Sequence, residues 1–77
     1  MRQMSGAQLE EIRLRLGYSR IKFGRMLGYR GGDKSVLVAV TRMENGTRKV
    51  GPAIARLALM LDASQTGRRM AKRWAAA

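Results

Sequence analysis

The stretch Ser19–Gly46, SRIKFGRMLGYRGGDKSVLVAVTRMENG, decides the fold because it reads as two helices joined by a turn marked with glycines. Ser19 can cap the first helix by accepting a hydrogen bond from a backbone N–H group. Phe23 and Leu27 recur four residues apart on one face of that helix, and Gly28 then supplies the positive φ that ends it. The stretch therefore predicts two consecutive helices, each with one apolar side.

The second helix of this stretch has two chemically different sides. Asp33 or Ser35 can cap it. One side collects the apolar residues Val36, Val40 and Met43, at spacings of four and three residues. At about 100° per residue, the opposite side collects Lys34, Val38, Thr41 and Arg42. A basic and polar face with small apolar groups suits the edges of bases in the major groove of DNA. We therefore predict base-reading roles for Lys34, Ser35, Val38, Thr41 and Arg42.

Several segments resemble the Cro and phage-repressor (XRE-type) helix-turn-helix family. They are LRLGYS at 14–19, FGRMLG at 23–28, RMENG at 42–46 and the apolar helix that follows. The resemblance covers about residues 9–61, which is most of the chain. It implies an all-α fold, a compact lambda-repressor-like domain of four to five helices in which the second helix of the motif reads DNA.

The chain departs from the family pattern at three places. Arg20 stands where the family usually has Gln, and Gly24 replaces the usual Ala that lets the two motif helices approach. About six additional residues within Tyr29–Ser35 separate the two helices. They either lengthen the recognition helix at its N-terminus or form a loop near DNA. Two adjacent glycines favour a loop over residues 29–34, which places Arg30 on a segment able to fold onto DNA.

Composition points to the same class of partner. The 77 residues contain 16 Lys and Arg against five Asp and Glu, a formal charge of +11 that is typical of a nucleic-acid binder. Without the helix-turn-helix pattern, a solvated basic surface is the alternative interpretation. Cys and His are both missing and the carboxylates are scattered, so neither a metal site nor a catalytic constellation is expected. We predict a protein that is not an enzyme and needs no cofactor or metal.

The segment before the motif predicts one more helix. Ser5 followed by Gln8 is a capping-box pattern that opens a helix over about residues 6–16. Its Arg13 and Arg15 are expected to point outward and to pair with neighbouring acidic residues at the surface. Residues 1–4 are predicted to be a frayed tail, with the alternative that Arg2 reaches a phosphate or a minor groove.

The segment after the motif predicts a fourth helix. Pro52 suits the first position of a helix that runs to about Leu61. An apolar stripe of Ile54, Leu57, Ala58 and Leu61 is expected to pack beneath the motif. Leu59 and Met60 fall off that stripe, either as ordinary exposed residues or as part of a dimer surface.

Residues 63–77 are predicted to form a basic tail or a fifth helix beyond the DNA-binding domain of residues 1–62. Ser64 can cap such a helix, in which Met70 and Trp74 make an i, i+4 pair among four cations. One interpretation folds Trp74 back to complete the core. The other makes Met70 and Trp74 the contact of a homodimer.

Further cations stand where DNA phosphates are expected. The predicted phosphate-binding residues are Arg20, Lys22, Arg30, Thr47, Arg48 and Lys49. For Thr47–Lys49 the role is implied by resemblance to the family's backbone-clamping segment after the recognition helix. For Arg20, Lys22 and Arg25 on the first motif helix, solvated charge is an equal alternative.

Together these features predict a sequence-specific regulator of transcription that binds double-stranded DNA. The resemblance implies a homodimeric repressor or autorepressor of a phage or mobile-element operon, such as those that accompany anti-CRISPR genes, on an inverted-repeat operator. The alternatives are an antitoxin with a toxin partner, or a basic protein that binds nucleic acid without specificity. No apolar run is long enough for a membrane span, so a cytoplasmic, nucleoid-associated protein is expected.

Overall fold

Five helices follow one another in the computed structural model, which describes residues 3–76. They are α1 (Gly6–Leu16), α2 (Arg20–Met26), α3 (Asp33–Glu44), α4 (Pro52–Ala63) and α5 (Gln65–Ala76). The all-α class is confirmed, and the C-terminal segment is a fifth helix. Because α5 packs against both α2 and α4, it belongs to the same packed unit as the helices before it.

The helix ends follow the local signals in the sequence at most positions. The Ser5 side chain accepts a hydrogen bond from the Gln8 backbone amide at 3.1 Å, and Oε1 of Gln8 accepts one from the Ser5 backbone amide at 2.8 Å, which completes the capping box. Ser19 caps α2 through the Lys22 amide at 3.1 Å. The Ser64 hydroxyl accepts from the Gly67 amide at 2.9 Å at the start of α5.

The start of α3 differs from the prediction. The N-cap residue is Gly32, with extended backbone and no side-chain hydrogen bond, whereas Asp33 and Ser35 lie inside the first turn. The Asp33 carboxylate accepts instead from Arg25 on α2, at 2.9 Å, so it does not cap the helix. The predicted loop over residues 29–34 is therefore wrong for Asp33 and Lys34. Residues 29–35 thus divide between a short turn and the first turn of α3, so each of the two alternatives predicted for them holds in part.

The core lies where α1, α2, α3 and α4 meet. Its most completely buried side chains are Leu9, Phe23, Val36, Val40 and Met43. The apolar side predicted for α3 is confirmed by its three members in this set. The stripe predicted for α4 holds for Ala58 and Leu61, which are buried, and Ile54 is half-buried. It is wrong for Leu57, which is 38% exposed because it faces α5 across a groove rather than the core.

Two glycines allow close helix approaches. A Cβ atom on Gly24 of α2 would collide with Cγ1 of Val36 and lie 2.9 Å from Cγ2 of Val40, both on α3. The branched valines therefore occupy the space that an alanine methyl would need. At Gly6, a Cβ atom would meet the backbone carbonyl oxygens of Met43 and Glu44 at the end of α3. The packing of α3 against α2, and of its C-terminal end against α1, thus depends on the missing side chains of these two glycines.

A buried ion-pair network joins α1, α2 and the end of α3. The outward orientation predicted for Arg13 is wrong, because Arg13 is 8% exposed and its Nε donates to Oε2 of Glu44 at 2.7 Å. Nη1 of Arg13 also donates to the Tyr18 carbonyl at 2.9 Å. Nε of Arg20 donates to Oε1 of Glu44 at 2.9 Å. One buried carboxylate therefore holds guanidinium groups from two other helices.

We expect Glu44→Gln to lower the free energy of unfolding by about 3 to 5 kcal/mol, because it leaves the buried Arg13 guanidinium without its carboxylate. The matched control is Glu11→Gln, which removes the same charge from an exposed pair with Arg15 at 3.5 Å and should cost less than about 1 kcal/mol. Urea denaturation of the two variants and the parent measures the difference. Equal losses would show that the network contributes no more than a surface pair.

Gly24→Ala is expected to lower the free energy of unfolding by about 1 to 3 kcal/mol, because the added methyl group overpacks the α2–α3 contact. Val36→Ala alone should also destabilise, by leaving a cavity. The double variant should lose less than the sum of the two single losses, since each change relieves the defect of the other. Strict additivity in thermal or urea denaturation would mean that Gly24 and Val36 do not compete for the same space.

Candidate nucleic-acid interface

All five acidic residues of the chain are held by arginines of α1 and α2. The pairs join Arg13, Arg15, Arg20 and Arg25 to Glu10, Glu11, Asp33, Glu44 and Asp62, at distances of 4.0 Å or less. Within residues 3–76, the remaining Lys and Arg side chains have no carboxylate partner. The hydrogen bond from Arg15 lowers the pKa of Asp62, which keeps that carboxylate charged and paired. The net positive charge is thus displayed away from the α1–α2 ion pairs.

The outward side of α3 is one of the surfaces that carry the unpaired positive charge. Lys34, Ser35 and Arg42 are exposed, Val38 is 37% exposed, and Thr41 is half-buried. These are the predicted base-reading residues, and they share one side of a 12-residue helix about 18 Å long. Sequence reasoning missed Leu37, which is 39% exposed on the same helix. Leu37 lies three residues after Lys34 and four before Thr41, and this helical spacing indicates that it shares their side of α3.

The loop after α3 folds back onto the end of that helix. The Arg48 amide donates to the Arg42 carbonyl at 3.0 Å, and the Thr47 amide donates to Oδ1 of Asn45 at 2.9 Å. Thr47, Arg48 and Lys49 are all exposed. The structure therefore brings this predicted phosphate-binding segment next to Arg42. Arg30 lies in the turn that precedes the opposite end of α3 and is exposed there.

The cations of α2 are arranged differently from those of α3. Besides its bond to Glu44, Arg20 lies 3.5 Å from Glu10 through Nη2, and the hydrogen bond to Glu44 raises the pKa of its guanidinium. Arg25 is paired with Asp33. Lys22 is exposed, with its ammonium 4.9 Å from the centroid of the Tyr18 ring. Of the three, Lys22 alone has a charge that no carboxylate in the described chain compensates.

A second group of cations lies on α5. Arg69, Lys72 and Arg73 are exposed, while Nη1 of Arg68 donates to the Leu61 carbonyl at 2.8 Å and so holds the end of α4. Met70 is 54% and Trp74 is 70% exposed. Trp74 therefore does not complete the core. The dimerisation role of Met70 and Trp74 stays a prediction.

Comparison of the chain with protein-family models, with curated proteins and with solved structures found no match. In the described part of the chain, no helix combines the length and the apolar character needed to cross a membrane. Arg2, considered above as an arm toward DNA, lies outside the described residues. The chemistry of the site is therefore inferred from its own geometry and charge.

Proposed function

We propose that this chain is a sequence-specific regulator that binds double-stranded DNA through the outward side of α3. The observation that carries the proposal is the separation of charge. The acidic residues are all tied to arginines of α1 and α2, whereas Lys34, Arg42, Arg48 and Lys49 are exposed without an acidic partner in residues 3–76. Unpaired cations along one helix and its following loop suit a polyanion of regular geometry.

The side chains on this surface support a division between reading and clamping. Ser35, Val38, Thr41 and the missed Leu37 supply hydroxyl and apolar groups, which suit base edges and thymine methyl groups in a major groove. Lys34 and Arg42 supply cationic donors for the same groove. Arg48 and Lys49, on the adjoining loop, would bind phosphates and so fix the register of α3 on DNA. Arg30 and Lys22 extend the clamping set, with Arg20 less available because of its bonds to Glu44 and Glu10.

We further propose that two copies bind an inverted repeat, as the family resemblance implies. Repressors of this type place paired recognition helices in successive major grooves roughly 34 Å apart. A small chain of this kind would act by occupying a promoter operator and blocking polymerase. A phage or mobile-element operon, including one that carries anti-CRISPR genes, is the setting that we propose for it.

The test is selection of DNA fragments by the purified full-length protein, followed by binding to the selected site and to random DNA at moderate salt. We expect a preference of roughly 10³-fold or more and a footprint with two half-sites. Equal affinity for both DNAs would instead favour the non-specific nucleic-acid binder, for which the charge of +11 is sufficient. Co-purification with a second protein whose toxicity the chain neutralises would favour the antitoxin.

Arg42→Ala and Lys49→Ala should change DNA binding in different ways. Arg42→Ala is expected to cost about 1 to 3 kcal/mol on the selected site and to relax preference at one base position. Lys49→Ala should weaken binding to selected and random DNA alike and reduce the salt slope by about one ion. Binding titrations across a salt series measure both effects.

The matched control for this pair is Arg56→Ala, which removes an exposed cation from α4 and should change neither the preference nor the salt slope appreciably. Equal losses on both DNAs for Arg42→Ala would move Arg42 from the reading set to the clamping set. Base preference lost in Arg56→Ala would show that α3 is not the reading helix.

A further inference from the structure

A groove of about 720 Å³ lies between α5, α4 and the turn that joins α2 to α3. Its walls carry Leu57 and Met60 from α4, Met70 and Trp74 from α5, and Tyr29 from the turn. The first four of these are between 38% and 70% exposed. This is a continuous apolar surface of the size of a ligand site, and it lies apart from the outward side of α3.

The groove is open because α5 turns only one edge of its apolar side toward the core. Ala71 is half-buried and packs against the core cluster. Met70 and Trp74 lie one helical turn apart and leave their side chains free along the groove. Arg69 and Arg73 follow on the solvent side of that pair, at about 100° per residue. The apolar walls are therefore bordered by cations along the length of α5.

The charged side chains among the described residues that line the groove are all cations. Arg25 and Arg30 are among the described residues that line it, and these residues include no Asp or Glu. The two carboxylates nearest in sequence to the lining are already paired, Asp62 with Arg15 at 2.7 Å and Asp33 with Arg25 at 2.9 Å. An occupant would therefore meet apolar walls and a basic rim, with nothing in the described lining to accept a positive charge.

We propose that this groove binds an acidic amphipathic helix of a partner protein. Apolar side chains at i, i+4 and i+7 of that helix would lie against Met60, Met70 and Trp74, in the manner of helix-in-groove recognition. Its Asp and Glu residues would meet Arg30, Arg69 and Arg73. This partner site does not depend on the proposed binding of DNA by α3.

A second copy of this chain is a poorer occupant. In a two-fold contact, the basic rim of one copy would face the basic rim of the other, and the acidic residues of both copies are already paired with arginines. Single-stranded nucleic acid is also less suited to it, because bases stack on aromatic faces whereas the walls are largely aliphatic. Charge complementarity and the aliphatic walls both favour the acidic helix.

The experiment uses the full-length protein and the fluorescence of Trp74, the only tryptophan. The probes are a panel of synthetic 16-residue helices with Leu, Met or Phe at the i, i+4, i+7 positions and Glu on both flanks. We expect at least one to give a saturable blue shift of Trp74 emission, and its counterpart with Gln in place of Glu to bind at least 10-fold more weakly. No shift with any member of the panel, or equal binding of the Gln counterpart, would overturn the proposal.

Two pairs of variants locate the site. Met60→Ser should weaken the best helix at least 10-fold, whereas Leu59→Ser, which removes a similarly exposed apolar side chain from the other side of α4, should not. Arg73→Gln should weaken it more than Arg56→Gln. Reversal of either order would overturn the assignment of the groove.

The competing occupants have their own readouts in the same assay. A blue shift that depends on protein concentration alone, accompanied by dimers in sedimentation that Met60→Ser abolishes, would assign the groove to a second copy and overturn the proposal. A shift produced by a single-stranded oligonucleotide at lower concentration than by any acidic helix would do the same. If the Arg42→Ala variant still binds the synthetic acidic helix, the groove is independent of the α3 surface.

Discussion

The buried carboxylate of Glu44 sets the position of α3 and, with it, the surface that the chain presents. Its two oxygens accept from Arg13 on α1 and Arg20 on α2, and its side chain is 2% exposed. A charge so far from water is stable only while its partners stay in place. Gly6 lets the start of α1 approach the carbonyl groups at the same end of α3. One end of the helix is thus fixed by ion pairs and by backbone contact together.

Local signals predicted the helices well because each signal acts over a few residues. Ser5 with Gln8, Ser19 and Pro52 mark helix starts whose hydrogen bonds close within one turn.

The errors came from partners far away in sequence. Arg13 has acidic neighbours one turn away that explain it as a surface residue, but its main partner is 31 residues distant. The predicted cap of α3 was wrong because the Asp33 carboxylate accepts a hydrogen bond from Arg25 on another helix.

The candidate site was predictable to the extent that one helix contains it. The periodicity of α3 places Lys34, Val38 and Arg42 outside once Val36 and Val40 are inside. For α2 the same periodicity gave no answer, because whether an arginine is available to a ligand depends on which acids the fold brings to it. The groove beside Trp74 could not be predicted at all, since it depends on how α5 docks against α4 and α2.

The pairing of Asp62 with Arg15 and the composition of the chain bear on how its charge responds to acidity. The sequence contains no histidine, and no other side chain has an ordinary pKa between about 5 and 8. Because the hydrogen bond from Arg15 lowers the pKa of Asp62 and the other ionisable side-chain types ordinarily titrate outside that range, the side-chain charge stays nearly constant across it. The electrostatic field of the protein is therefore set mainly by its fold and by the surrounding salt, and changes of pH between about 5 and 8 alter it little.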